Sequence, residues 1–257
     1  MKKLITHISD THNQHRQLTD YLSSGDFLIH SGDFTKIGTQ SEIEDFIDWF
    51  SHVGGFKYKV FIAGNHDLSF QSDELCRVKQ IRLGYDASRN PTLDTKPQWL
   101  VELLSELPEN VYYLENYGAV IDGIKFWGVP NTPSFGEGWA FNTNRGYDMN
   151  EVCNLIPLDT DILISHGPMR YHCDYADYSK DNVGCDDLYN RVREVKPHLH
   201  MCGHIHPAYG YRSILHSDVW GGAWTFNASC VNGIHSFVHN PISIEYDFET
   251  RDIEFKM

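Results

Sequence analysis

Phe61-Ile62-Ala63-Gly64-Asn65-His66-Asp67 decides how the chain is read. An apolar run from Val60 to Ala63 ends at a glycine, then an amide, an imidazole and a carboxylate follow in a row. That order describes a buried strand stopping at a tight turn with polar side chains at its tip. Gly64 suits a backbone that bends sharply, including into positive φ. Taken alone, the stretch is equally an Asx-type turn with a hydrogen-bonded histidine. The same pattern recurs along the chain, and the recurrence changes its meaning.

Upstream, Leu4–Ser9 is strand-like and ends in Asp10-Thr11-His12, and Asp26–His30 ends in Ser31-Gly32-Asp33. Downstream, Asp161–Ser165 ends in His166-Gly167-Pro168, and Pro197–Cys202 ends in Gly203-His204-Ile205-His206. Helices are expected over Gln14–Ser23, Ser41–Phe50, Ser72–Leu83, Pro97–Leu107 and Gly184–Val195. Ser41 with Glu44 has the capping-box spacing, and Ile43, Phe46, Ile47 and Phe50 line one helical face. Short strands are expected at Val111–Leu114, Gly118–Ile121, Ile124–Val129, Trp224–Ala228, Ser243–Phe248 and Asp252–Phe255. Residues 130–150 and 169–183 read as long loops, a length often tied to function. Strands and helices alternate first, and the second half is richer in strand. No repeat or low-complexity linker divides residues 1–257, so one domain is expected, an α/β fold with a β-sandwich and helices on both outer faces.

In open α/β sheets, ligands bind beyond the carboxyl ends of the strands. Side chains two apart on an extended segment point the same way, so Asp10 with His12, and His204 with His206, can converge. A lone histidine is more often a packed core residue than a ligand. Five marked strand ends in one chain point instead to one shared site. Asp10, His12, Asp33, Asn65, His166, His204 and His206 offer two carboxylates, four imidazoles and an amide carbonyl. Such N/O donors suit Mn²⁺, iron, Zn²⁺, Ni²⁺ or similar ions. Seven donors exceed one tetrahedral ion and suit two ions sharing a carboxylate, which leaves net positive charge for a phosphate. Ions roughly 3.5–4 Å apart can hold a bridging hydroxide and stabilise attacking and leaving oxygens.

Composition sets the limits. Hydrophobic residues make up 41% of 257, with fourteen Phe and fourteen Tyr, which is ample for a core. No apolar run approaches the roughly 20 residues of a membrane span, and the start, Met1–His7, is too short in its apolar part to read as a secretory signal. Six cysteines without a CxxC pair read as free thiols in a reducing cytoplasm. The net charge of −14 disfavours extended nucleic acid as partner. Oligomeric state, including a homo-oligomer, is left open.

These motifs resemble those of the calcineurin-like metallophosphoesterases: Asp10-x-His12, Gly32-Asp33, Gly64-Asn65-His66-Asp67, a lone His166, and Gly203-His204-x-His206. Further stretches, among them Gly138-Trp139-Ala140-Phe141-Asn142 with Arg145-Gly146 and Ile162–Pro168, are similar to the metallophosphoesterase-domain-containing proteins of animals and their microbial relatives. The resemblance runs from residue 4 to about 245. It implies a four-layer α/β/β/α sandwich with a dinuclear centre. It further implies that Asp10, His12, Asp33 and His206 hold one ion, that Asp33 bridges, and that Asn65, His166 and His204 complete the second. His66 is then the catalytic histidine. Some animal members have glycine at the place of His204, whereas here the ligand set is complete. The Asp-Arg-Gly that follows Gly-Asp in protein phosphatases is absent, since Asp33 precedes Phe34-Thr35-Lys36. The expected activity is therefore a metal-dependent phosphodiesterase on small esters such as cyclic nucleotides. The alternatives are a phosphomonoesterase, a nuclease or a non-catalytic scaffold. Asn13 and Arg145 are candidate substrate contacts, the latter as a bidentate phosphate clamp, against turn-forming and loop-stapling roles. Asp67 reads as a turn cap or an orienting residue. Trp139 and Phe141 are expected to pack their loop. His30, His172, His198, His200, His216, His235 and His239 match no motif and are expected to be structural or exposed.

Overall fold

The structure is a computed structural model and describes residues 1–71, 96–213 and 223–256. Two six-stranded sheets form its centre. The first is built from β1 Lys2–Ile8, β2 Gly25–His30, β3 Phe56–Phe61, β4 Val111–Tyr113, β15 Ile242–Asp247 and β16 Ile253–Lys256, in the order β16-β15-β1-β2-β3-β4. The second is built from β5 Tyr117–Ile121, β6 Ile124–Val129, β9 Ile162–Ser165, β12 Leu199–Cys202, β13 Gly210–Ser213 and β14 Trp224–Asn227, in the order β13-β14-β12-β9-β6-β5. Strands β1 to β4 run parallel, as do β6, β9, β12 and β14, so their carboxyl ends share an edge within each sheet.

Period-two alternation builds the layers. Phe27, Ile29, Val60 and Ile62 from the first sheet meet Phe126, Ile162, Ile164, Leu199, Met201 and Phe226 from the second in one apolar core between the sheets. The residues between them face outward. Leu28 and Phe61 pack under helix α1, Gln40–His52, through Ile43, Phe46, Ile47 and Phe50. On the far side, Val129 and Leu163 pack under helices Tyr147–Asn154 and Asp186–Val195 through Met149, Cys153, Leu188 and Val192. Three apolar layers separate four layers of structure, the α/β/β/α sandwich expected. Helix α2, Gln98–Ser105, adds Leu100 to the first outer core.

Several local expectations change. Helix α1 is capped by Thr39 and Glu42 rather than Ser41 and Glu44, and both reciprocal bonds of the capping box are made. Glu42 also accepts from Asn13, a tertiary bond that selects between two overlapping boxes of equal spacing. The segment after Gln14 is a short 3-10 turn, His15–Tyr21, and not a full helix. Residues 130–150 are not a bare loop. They hold a two-stranded ribbon, β7 Thr132–Pro133 with β8 Asn142–Thr143, and the start of the helix at Tyr147. A second ribbon, β10 Tyr175–Ala176 with β11 Asp181–Asn182, lies within 169–183. The helix expected over Ser72–Leu83 and His216 lie outside the described residues. The five cysteines within them are free thiols. No helix among them is long and apolar enough to cross a membrane.

Candidate metal centre

At the carboxyl ends of the strands the two sheets are stitched together. The chain leaving β1 pairs with the chain leaving β14: Ser9 N–H donates to the Ala228 carbonyl at 3.0 Å, and Cys230 N–H to the Ser9 carbonyl at 2.9 Å. Within the first sheet, Asp10 N–H donates to the Gly32 carbonyl (2.9 Å) and His12 N–H to the Asp33 carbonyl (3.1 Å). Asp10, His12, Asp33 and His204 all have left-handed backbone, with φ of 52°, 40°, 56° and 66°. Asp and His tolerate this region better than most residues, but each such position costs about 1–3 kcal/mol and persists only when its surroundings fix it. Four strained residues at one edge mark a site built against local preference.

Two glycines let the groups approach. Gly64 does not take positive φ. Its small size is needed instead, because a Cβ there would fall on Asp33 Oδ1 and lie 2.6 Å from His166 Cε1. A Cβ on Gly203 would strike Ser9 Oγ and Asp10 Oδ2.

The structure gathers Asp10, His12, Asp33, Asn65, His66, His166, His204 and His206. His166 Nε2 lies 3.3 Å from Asp33 Oδ2 and 2.9 Å from Asn65 Oδ1. His206 Nε2 lies 3.4 Å from Asp10 Oδ1, and His12 Nε2 lies 4.0 Å from Asp33 Oδ2. The His66 ring centroid is 4.6 Å from that of His12. Backbone carbonyls fix four of these rings through Nδ1: Thr35 O for His12 (3.0 Å), Lys36 O for His66 (2.7 Å), Ser31 O for His166 (2.9 Å) and Asn232 O for His206 (3.0 Å). A carbonyl only accepts, so each Nδ1 donates and each neutral ring turns a bare Nε2 inward. Asp10 accepts from His204 N–H at 2.9 Å and from the Ser229 hydroxyl at 2.7 Å.

This arrangement fits a cation. His12 Nε2 is buried without a hydrogen-bond partner. At His166 with Asp33, and at His206 with Asp10, a lone pair faces a carboxylate, and two acceptors tolerate that closeness only with positive charge between them. Electrostatics show the same demand. Burial works against the His166 imidazolium, but the Asp33 carboxylate overrides it and pushes its pKa up to about 9. Burial would raise Asp10 and Asp33, yet His206 beside the first and His166 beside the second hold both far below the usual carboxylate range. Burial keeps His12 and His204 neutral, each pushed down to about 3, the state a metal ligand needs. Asp33, His166 and His204 form one group with donor atoms within 4.8 Å of one another, and His12, Asp33 and His66 form another. Asp33 belongs to both, the position a bridge requires.

Asp67 is an orienting residue. Its carboxylate accepts from the backbone N–H groups of Asp33 (3.0 Å), Thr35 (3.0 Å) and Gly64 (2.8 Å), tying the Asp33 loop to the Asn65-His66 turn. Asn13 and Arg145 are engaged away from the cluster. Asn13 Nδ2 donates to Glu42 at 2.6 Å, and Arg145 donates to the carbonyls of Gly184 (2.9 Å) and Val183 (2.7 Å), stapling its loop. Phe141 is buried, and Trp139 stands against His66 with centroids 4.3 Å apart. Two residues at the site carried no sequence signal. Ser229 follows β14 without a motif, and His235, expected to be merely structural or exposed, is exposed but stacks on His12 at 4.3 Å.

The chain matches the calcineurin-like phosphoesterase family over residues 3–208 and belongs to it. It is thus a metal-dependent phosphoesterase of a family that works with a dinuclear divalent centre. It is 36% identical over 243 residues to metallophosphoesterase domain-containing protein 1 of Homo sapiens, covering 93% of this chain and 69% of that one. It is 35% identical over 206 residues to the UPF0046 protein K07C11.7 of Caenorhabditis elegans, covering 80% of this chain and 64% of the other. Among solved structures, TT1561 of Thermus thermophilus shares the fold with a TM-score of 0.57 at 13% identity, over 100% of this chain and 99% of that one. Phosphopantetheinyl hydrolase of Mycobacterium tuberculosis shares it at 0.54 and 16% identity, over 90% of each chain.

Proposed function

We propose that this phosphoesterase is a phosphodiesterase for small esters, with a 2′,3′- or 3′,5′-cyclic nucleotide as the best candidate, and that residues 1–257 act as one domain. The observation that supports this most is the complete N/O donor set meeting at one strand edge with His66 beside it. Asp10, His12, Asp33 and His206 would hold the first ion, Asp33 would bridge, and Asn65, His166 and His204 would hold the second. Mn²⁺, iron, Zn²⁺ and Ni²⁺ all suit these donors. Bound there, the ions supply positive charge for the phosphate and acidify a water.

The chain's own groups do the rest. His66 keeps its Nδ1 proton on the Lys36 carbonyl, so its imidazolium form can pass the Nε2 proton to the leaving alkoxide without turning the ring. Asp67 keeps the Asp33 and Asn65 loops in register. The absence of Asp-Arg-Gly favours diesters over phosphoproteins, and the −14 charge favours small substrates over nucleic acid strands. Free thiols at the five described cysteines suit work in the cytoplasm.

The test is a panel of aryl monoesters, aryl diesters, cyclic nucleotides and DNA strands, each with Mn²⁺, Zn²⁺, Ni²⁺ and Mg²⁺. Diesters should turn over faster than monoesters, DNA should remain uncut, and Asn65→Ala should abolish hydrolysis. Undiminished turnover by metal-stripped protein would refute the reading.

A further inference from the structure

His235 lies beyond every motif, in the turn after β14. Its backbone has φ of 56°, a costly conformation for a residue with a side chain. Two bonds hold it there. Its N–H donates to the Asn232 carbonyl at 2.8 Å, and its carbonyl accepts from Gln14 Nε2 at 2.8 Å. Asn232 also accepts through Oδ1 from the N–H groups of Ile234 (3.1 Å) and Ser236 (3.0 Å), and its carbonyl orients His206 at 3.0 Å. One turn therefore sets both a ligand candidate and His235. The His235 ring lies parallel to His12, 4.3 Å between centroids and 7° between planes. It stands 5.3 Å from His206 and 5.6 Å from His66. One ring nitrogen each of His12, His206 and His235 lies within 4.8 Å of the other two. An atom central to such a triangle is within hydrogen-bond reach of all three corners.

The stacking decides what His235 can do. An imidazole lone pair lies in its ring plane, so the lone pairs of His12 and His235 lie in parallel planes and would not converge on one ion held by His12. His235 is poorly placed as a further ligand to that ion and well placed beside what the ion holds. We propose that His235 contacts the substrate, donating a hydrogen bond to a non-bridging oxygen of the phosphate ester. With His66 it gives the phosphate two flanking imidazoles from unrelated parts of the chain. The inference rests on the phosphoesterase reading above.

The test uses the full chain loaded with Mn²⁺, with inorganic phosphate as probe in calorimetry and an aryl phosphodiester in kinetics. His235→Ala, His235→Phe, which keeps a stacked ring without a donor, and His235→Gln, which keeps a donor, are compared. Mn²⁺ stoichiometry and affinity should stay as in the wild type in all three. Phosphate affinity should fall about tenfold or more in the Ala and Phe variants, the scale of a lost hydrogen bond to a charged group, and recover in part with Gln. KM should rise more than kcat falls. Weakened Mn²⁺ binding in His235→Ala would make it a ligand and overturn the proposal. Phosphate affinity unchanged in His235→Ala, or fully kept in His235→Phe, would also overturn it. If loaded wild-type protein neither takes up phosphate nor turns over the diester, the phosphodiesterase reading falls with it; binding or turnover by wild type with no effect at His235 removes this inference alone.

Discussion

The two sheets bring different chemistry to the same edge. The first supplies Asp10, Asp33 and Asn65 from the ends of β1, β2 and β3, and so all the negative charge, with His12 alongside. The second supplies His166 after β9 and His204 with His206 after β12, all imidazole. Neither sheet completes the cluster alone. Their union is backbone work as much as side-chain work: His166 Nδ1 reaches the Ser31 carbonyl across the sandwich, and His204 N–H reaches the Asp10 carboxylate. Charge is thus concentrated on one sheet, and the other tunes and orients it.

The sharpest way to break this comparison is to remove one group from each side. Asp33→Ala deletes the shared carboxylate and should leave less than about one ion per chain, with hydrolysis down roughly 10³-fold or more, several kcal/mol of charge stabilisation. His204→Ala should lose only the second ion and keep about one, with a smaller fall in rate. Metal counting by mass spectrometry together with aryl diester kinetics reads both. Equal metal loss in the two variants would mean that the sheets do not divide the labour as described.

A smaller effect tests the seam. In Gly203→Ala the new methyl would land on Ser9 and Asp10, the junction of the sheets. Overpacking of this kind costs about 1–3 kcal/mol, a fall in Tm of roughly 2–4 °C per kcal/mol for a chain of this size. Gly54→Ala, with nothing within 4 Å of the new atom, serves as the control and should stay near wild type by calorimetry.

The sequence was informative where chemistry and strand periodicity coincide. The tips after Ile8, His30, Ala63, Ser165 and Cys202 each carry their polar groups immediately after a buried run, so their convergence could be read locally. Helix α1 was legible from Ile43, Phe46, Ile47 and Phe50, but its start was not, because Thr39/Glu42 and Ser41/Glu44 offer the same spacing and a bond to Asn13 decides between them. Ser229 and His235 were illegible for a related reason. Their turn reaches the centre only after β14 docks beside β12 and meets β1, an event without a local signature. The carbonyl partners of Arg145, Val183 and Gly184, were illegible because a cation in a polar loop looks alike in sequence whichever acceptor it meets.

The smallest effect concerns histidines that no ion needs. His200, on β12, faces away from the apolar layer between the sheets. Its Nε2 lies 2.7 Å from Ser165 Oγ, whose proton is given to the Gly167 carbonyl at 2.6 Å, so His200 donates from Nε2. Burial pushes its pKa down to about 3, against roughly 6.5 in the unfolded chain. Between those values the unfolded state holds one more proton at this position, so stability must fall as pH falls, by about 1.4 kcal/mol per pH unit from this group. Above pH 6.5 the contribution is constant. His200→Gln keeps a donor and cannot titrate. Urea unfolding of the metal-free protein at pH 7, 6 and 5 should show the wild type losing stability faster than the variant, the two curves converging as acid is added. Parallel curves would mean that His200 takes up its proton equally in the folded and the unfolded chain, so that its burial does not hold it neutral.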